Sequence, residues 1–306
     1  MTPFQRALLS WFQAYQRPMP WRNTSDPYAI WVSEVMLQQT RVETVIPYFE
    51  RFMTAFPTVR HLAVAPLDNV LKLWEGLGYY ARARNLQQAA KTVVSDFHGK
   101  VPNEPERFLQ LKGVGPYIGA AVQSIAFGGK VAAVDGNVKR VLSRVTLCRT
   151  PVNGNNSHRE YQRIADSFLN HAQPGDHNQA MMELGARICT PRQPSCDGCP
   201  VAAYCAAAKN DVQGQLPVRL SKKRVPTRHI AVAVIQKGDT FLITKRKNEG
   251  LLGGLWEFPG GSVETGESAA DACLREVREE VNLRVRIERP LTTVHHAYTH
   301  FKIKMD

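Results

Sequence analysis

The sequence predicts two domains of different class: an all-α domain over residues 1–208 and an α+β domain over residues 228–306, joined by a basic linker at 209–227. Three observations carry this division. Apolar residues recur at helical spacing as far as about residue 208, with no convincing strand alternation. From Arg228 onward the period becomes two. Between these regimes stand four cysteines, Cys189, Cys196, Cys199 and Cys205, separated by six, two and five residues. A chain of 306 residues is long enough to bury two sizeable cores.

The N-terminal stretch is amphipathic, with Phe4, Leu8, Trp11, Phe12 and Tyr15 at helical spacing. It lacks the basic start and long apolar block of a signal peptide. Helical periodicity then runs through 28–38, 42–55, 67–76, 82–97, 105–111, 117–127, 137–147, 158–170 and 177–188, with turns at Pro57, Pro66, Gly99, Pro102 and Gly128-Gly129. Within the first of these, Glu34 lies among Trp31, Val32, Val35, Met36 and Leu37. A carboxylic acid on a helix apolar on most sides should hold its proton to unusually high pH, because desolvation disfavours the charged form. Gly113 and Gly115 bracket a tight turn between two helices, and Pro116 suits the first position of the second helix. Glycines at such a turn let backbone N–H groups approach a phosphate. Asp135 precedes a helix carrying Val138, Val141, Leu142 and Val145, and is a good N-cap.

The stretch 209–227 is polar and basic, with Arg219, Lys222, Lys223 and Arg224. It reads as a linker, either a solvated tether or one lying along DNA. Beyond it, HIAVAVI and TFLITKR, separated by QKGD, predict a β-hairpin, and a helix is expected from about 268 to 281. The final run, FKIKMD, places Phe301, Ile303 and Met305 on one face of an edge strand with no following partner, so the chain is expected to be truncated there.

Hydrophobic residues make up 43% of the chain, and no apolar run reaches membrane-spanning length. A reducing, cytoplasmic compartment is expected, with Cys148 and Cys273 as small buried hydrophobes. The net charge of +12 favours a polyanion partner. Four clustered thiols form a soft-metal site, for which a 4Fe–4S cluster and a structural zinc are both candidates. The spacing differs from a zinc ribbon, which pairs two Cys-x-x-Cys knuckles.

The cysteine spacing, following an apolar helix, resembles the iron–sulfur loop of the endonuclease III superfamily of DNA glycosylases. LKGVGPYIGAA, residues 111–121, resembles their helix–hairpin–helix. WVSEVMLQQTRV at 31–42 closely resembles the motif of MutY-type adenine DNA glycosylases, supported by PMPWR at 18–22, GLGYYARARNL at 76–86 and NQAMMELGARIC at 178–189. Together these cover nearly the whole helical domain. In the second domain, Gly261, Glu267 and the run Arg275-Glu276-Val277-Arg278-Glu279-Glu280 resemble the Nudix box, with Asn282 where glycine is usual. HHAYTHF at 295–301 resembles the family's recognition loop, with Tyr298-Thr299-His300 in place of Phe-Ser-His.

The resemblance implies an all-α helix–hairpin–helix DNA glycosylase domain with a 4Fe–4S loop held by Cys189, Cys196, Cys199 and Cys205, followed by an incomplete α+β Nudix-like domain. It implies a monomer acting on double-stranded DNA, away from membranes and associated with the nucleoid, that excises adenine paired with 8-oxoguanine or guanine. Glu34 would protonate the adenine, and Asp135 would stabilise the cationic sugar, assisted by Tyr117 and Asn137. Arg17, Met19, Trp21, Gln179 and Glu183 match positions around the flipped adenine. Gln39, Thr40, Leu77 and Tyr79 match those that wedge into the duplex, while Gly113 and Gly115 approach its backbone. Tyr117 stands where strand-cutting relatives carry lysine, and a phenol cannot form a Schiff base. A Nudix pyrophosphatase with an accessory DNA-binding domain and a catalytically silent damage-binding protein are the competing readings. A pure binder needs neither Glu34 nor Asp135.

Overall fold

The computed structural model describes residues 1–221, 225–247, 252–298 and 301–306. They form two compact units, Met1–Leu220 and Ser221–Asp306. The first unit is helical: α1 (Pro3–Tyr15), α2 (Pro27–Leu37), α3 (Val42–Ala55), α4 (Val59–Val64), α5 (Leu67–Leu73), α6 (Ala81–Asp96), α7 (Pro105–Leu109), α8 (Pro116–Phe127), α9 (Gly136–Thr146), α10 (Ser157–Phe168), α11 (Pro174–Arg187) and α12 (Ala206–Lys209). Local signals set the starts. Thr2 and Gln5 form a capping box ahead of α1, Asp26 caps α2 with Pro27 at its first position, and Asp135 caps α9 through Val138 N.

This unit has two hydrophobic cores. One packs α2 to α8 around Trp31, Phe52, Trp74 and Phe108. The other packs α1 and α9 to α11 around Leu8, Phe12, Leu142, Tyr161 and Leu184. The chain therefore leaves its first helix, builds a whole lobe, and returns to complete the lobe it started. Asn178 ties the return: its Nδ2 donates to Ser124 Oγ (2.8 Å) and Val131 O (2.9 Å), and its Oδ1 accepts from Ala133 N (3.0 Å). α2 is enclosed, with every residue from Tyr28 to Met36 buried. Part of the expected linker also packs here: Val152 N donates to Val218 O, and Arg144 Nε to Gln213 O and Leu216 O, so the first unit extends to Leu220. Lys222, Lys223 and Arg224 lie outside the described residues.

The second unit contains a four-stranded sheet in the order β6-β1-β8-β7, from β1 (Thr227–Val232), β6 (Gly260–Ser262), β7 (Val294–Ala297) and β8 (Lys302–Met305). β1 runs antiparallel to β6 and parallel to β8, and β7 is antiparallel to β8. Two small ladders, β2 (Gln236–Lys237) with β3 (Thr240–Phe241) and β4 (Thr244–Lys245) with β5 (Trp256–Glu257), accompany α13 (Ala269–Val281). Two expectations change. The hairpin is present but short: Gln236-Lys237 pairs with Thr240-Phe241 and Leu242 N donates to Ile235 O, while the earlier part of HIAVAVI belongs to β1, which pairs with β6 and β8. The strand in FKIKMD is not at an edge: β8 lies between β1 and β7, which pair both sides of its backbone, and Ile303 is buried.

Gly185 fixes how closely α11 approaches α9, since a Cβ there would lie 2.6 Å from Asn137 Cβ. Gly185→Ala should lower stability by about 1–3 kcal/mol through overpacking, measured as a fall in denaturation midpoint at unchanged slope.

Candidate active site

The two lobes meet at a pair of carboxyl groups. Glu34 comes from the middle of α2 and is 4% exposed. Its Oε2 accepts from Tyr117 Oη at 2.6 Å, and Tyr117, in the first turn of α8, also lies 3.1 Å from Met182 Sδ of α11. Burial, opposed by the tyrosine hydrogen bond, drives the Glu34 carboxyl up to about 7, and the charge of Asp135 adds to the rise. Tyr117 is itself pushed well above its ordinary range, by burial first and then by the nearby carboxylates. It therefore stays a neutral donor.

Asp135 approaches from the second lobe. Its Oδ1 accepts from Val138 N (2.7 Å), which is the helix cap, and its Oδ2 accepts from Asn137 Nδ2 (2.8 Å). Burial raises its pKa, while these two donors pull the other way. Asn137 is held in turn by Arg140, whose Nη2 donates to Asn137 Oδ1 (2.7 Å) and Gly185 O (2.6 Å) and whose Nε donates to Cys189 O (2.7 Å).

A second buried glutamate beside them has the opposite surroundings. Glu183 receives Arg17 Nε (2.8 Å) and Nη2 (3.0 Å) and Arg22 Nη2 (3.0 Å). Burial pushes this carboxyl upward, but the two arginines outweigh it and hold the group below its ordinary value. Arg22 also donates to Gln179 Oε1 at 3.3 Å, and Met19 and Trp21 are buried next to it in sequence, with Trp21 edge-on to Phe49. The positions expected around a base thus include a fixed ion-pair network.

Two loops follow at the far ends of α2 and α5. Gln39 is exposed and Tyr79 is 48% exposed, and Tyr79 Oη donates to Gln39 Oε1 at 2.8 Å. Thr40 Oγ1 accepts from Arg82, and Leu77 is buried in the first core. The hairpin between α7 and α8 has Gly113 in the left-handed region (φ +81°), packed so closely on Asn85 that an added Cβ would lie 2.8 Å from Asn85 Cβ. Gly115 caps α8 with open space around it.

The cysteine loop closes the second lobe. All six thiols of the chain are free, and Cys189, Cys199 and Cys205 pack against the second core. Burial and the other three sulfurs of the loop push the Cys199 thiol up to about 11. Arg144 Nη1 donates to Cys189 Sγ (3.2 Å) and Thr190 O (2.8 Å). Among the described residues no three Cys, His, Asp or Glu side chains converge as ligands of a single ion. An all-thiolate set, mutually interacting and backed by a guanidinium, suits an iron–sulfur cluster.

Residues 32–168 match the HhH-GPD superfamily base excision DNA repair proteins, residues 189–205 the iron-sulfur binding domain of endonuclease III, and residues 231–306 the NUDIX domain. Adenine DNA glycosylase of Rattus norvegicus is 37% identical over 358 residues, covering 99% of this chain and 69% of that protein. The Homo sapiens adenine DNA glycosylase is 36% identical over 359 residues, covering 99% of this chain and 66% of that protein. Among solved structures, a thermostable thymine-DNA glycosylase is 30% identical with a TM-score of 0.61, covering 68% of this chain and 95% of that one. The chain belongs to the adenine DNA glycosylase family. It spans about two thirds of the length of the two mammalian relatives. It is a base excision repair hydrolase with a 4Fe–4S cofactor in the loop 189–205.

Several residues of this glycosylase's site escaped sequence reasoning. Arg22 lies inside PMPWR and Met182 inside NQAMMELGARIC, but nothing in the sequence singled out either of them, or Arg140 and Arg144. Thr299 and His300 lie outside the described residues, while Tyr298 stacks edge-on against His296 with ring centroids 4.7 Å apart. No helix among the described residues is long and apolar enough to cross a membrane.

The Glu34 environment has a sign that can be measured. Its folded pKa of about 7 lies above the ordinary 4.5, so the stability tied to its protonated form is complete below about pH 4.5 and is lost as pH rises through about 7. Glu34→Gln cannot suffer that loss. Its stability advantage should grow between about pH 5 and 7 and then level off, reaching about 3 kcal/mol. Denaturant titrations across that range read the difference, and a pH-independent difference would contradict the buried acid.

Proposed function

We propose that the chain is a monofunctional glycosylase that hydrolyses the N-glycosidic bond of adenine paired with 8-oxoguanine, or with guanine, in duplex DNA, acting as a monomer. The observation that carries this reading is the pairing of a buried, protonatable Glu34 with a second carboxyl, Asp135, across the lobe boundary. Glu34, poised near 7, donates its proton to a ring nitrogen of the flipped adenine, so that the base leaves as a neutral species when the bond to the sugar breaks. Asp135, whose two hydrogen-bond donors favour its anion, stabilises the cationic sugar. A water then adds to that carbon and gives up a proton to a carboxylate of the pair, which restores the lost proton and leaves an abasic site. The division of labour is that of paired carboxyls in glycoside hydrolysis, one kept neutral and one ionised.

Tyr117 orients Glu34 and provides no amine, which supports hydrolysis without strand cleavage. Asn137 orients Asp135. Arg17, Met19, Trp21, Gln179 and Glu183 surround the base, with Arg22 completing the network that fixes them. Extrusion of a base costs a few kcal/mol, and Gln39 and Tyr79 fill the gap it leaves, with Thr40 and Leu77 supporting their loops. The hairpin at Gly113 and Gly115 takes the backbone. A cluster held by Cys189, Cys196, Cys199 and Cys205 would order the loop that carries them, and Arg144 and Arg140 join that loop to α9.

The second unit reads the strand carrying 8-oxoguanine, with Tyr298, Thr299 and His300 as its contacts. Its box does not favour a second hydrolase: Arg275 already pairs with Glu267 (2.9 Å) and Glu276 (2.8 Å), and Glu280 accepts from Gly260 N. Asn282 adopts the left-handed conformation (φ +52°) that glycine would supply.

Glu34→Gln should abolish adenine excision while duplex affinity stays close to native, because an amide keeps the shape but has no acidic proton. Near-normal excision by this variant, scored by alkali cleavage of an A:8-oxoguanine oligonucleotide, would overturn the assignment. Tyr298→Ala should reduce the preference for A:8-oxoguanine over A:G by about tenfold, the loss of one base-stacking contact, while excision from A:G changes little. An unchanged preference removes Tyr298 from the recognition role.

A further inference from the structure

We propose that Arg82 is a positioning residue that locks two loops, 38–40 and 77–79, into the single arrangement that presents Gln39 and Tyr79 to DNA. The proposal rests on the wedge role given above to those two side chains, and adds how they are held there.

Both presenting residues occupy backbone conformations that side chains disfavour: Gln39 has φ +56° and Tyr79 φ +49°. Neither loop has a regular ladder to impose this. Arg82 supplies the constraint from the first turn of α6. Its Nη1 donates to Val35 O (2.9 Å), Met36 O (2.8 Å) and Gln38 O (2.7 Å), the carbonyls at the C-terminal end of α2. Its Nη2 donates to Gly78 O (3.1 Å), Leu77 O (3.3 Å) and Thr40 Oγ1 (3.3 Å). One planar group thus grips both loops with its two ends. The guanidinium also lies over the Trp74 and Tyr79 rings, at 5.4 and 5.5 Å from their centroids.

The position is unfavourable on local grounds. A cation in the first turn of a helix opposes the macrodipole, and burial pulls the Arg82 pKa down to about 10. The carbonyls of the two loops are what hold it there. One helical turn further along α6, Asn85 meets Gly113 of the hairpin, so the start of α6 touches all three loops expected to face the duplex. Lysine cannot take over this task, because a point ammonium lacks the fork that reaches two loops at once.

The test uses the full chain, with Arg82→Lys and Arg82→Met made in the native background and in Gln39→Ala/Tyr79→Ala. Single-turnover excision at saturating enzyme is measured beside the fluorescence of 2-aminopurine next to the mispair, read in Glu34→Gln versions that leave the duplex uncut. In the native background each substitution should slow excision by about 100-fold, the usual effect of a misplacement of about 1 Å, and should suppress the fluorescence rise. In the doubly substituted background, the same changes should alter excision by no more than about twofold, while the drop in melting temperature stays equal in the two backgrounds. An equal slowing in both backgrounds would assign Arg82 a merely structural part and overturn the proposal, as would a native rate with the fluorescence rise intact. Should Arg82→Met fail to fold, Arg82→Lys, which keeps charge and stem, decides the comparison. Absence of excision by the unsubstituted chain would defeat the glycosylase reading, and the fluorescence comparison would then judge Arg82 alone.

Discussion

The hydrogen bond between Tyr117 and Glu34 is the interaction on which the rest of the helical unit is arranged. A carboxyl inside an enclosed helix would otherwise be an unpaired buried polar group, which costs heavily. A phenol satisfies it without supplying charge, so the acid can keep its proton. An arginine in that place would have ionised it. Tyr117 can reach only because α8 begins beside α2, and α8 begins there because the Gly113–Pro116 turn brings it back after α7. The lobe that houses Glu34 is thus built around delivering one neutral donor to it.

Glu183 shows what the alternative looks like in the same small volume. It is as buried as Glu34, but Arg17 and Arg22 hold it ionised. Two glutamates with almost no exposed surface therefore shift in opposite directions, Glu34 up and Glu183 down, because one neighbour is a hydroxyl and the others are guanidiniums. The Arg17 and Arg22 network also bears on geometry. Bidentate arginine–carboxylate contacts are directional, so they orient the pocket wall, whereas the Glu34 contact leaves a proton to give.

Much of this was legible in the sequence because it rests on local chemistry. The 3.6-residue period located most helices; Asp135 was readable as a cap, and the cap exists alongside its exposure to the lobe boundary. The cysteine spacing pointed to a thiolate site. What could not be read depends on distant residues. α4 is a single short helix capped by Thr58, too brief to show a period. The parallel pairing of β1 with β8 joins Thr227 to Lys302, and nothing near either strand records it. For the same reason the hairpin is shorter than expected, since the first half of HIAVAVI lies in β1, which sits between two other strands. Glu34 itself was suspected from its apolar neighbours, but its partner lies 83 residues away and became visible only through α8.

The arginines make the general point. A surplus of +12 suggests a surface made for phosphates, and the sequence treats each basic residue alike. The structure divides them. Arg22 is tied to Glu183, Arg82 grips six acceptors in two loops and a helix end, Arg140 joins Asn137 to Cys189, and Arg144 spans the cysteine loop and the 213–216 segment. Each of these guanidiniums is engaged inside the fold, mostly with carbonyl oxygens that have no charge to neutralise it. Their charge still contributes to the long-range field, but these guanidiniums are turned toward acceptors within the fold, which leaves direct phosphate contacts to other residues. Arginine suits the inner role because its fork meets several carbonyls at once and its charge is weakly hydrated. Net charge therefore overstates the side chains free to touch DNA, while understating how much of this site is assembled by cations that never reach it.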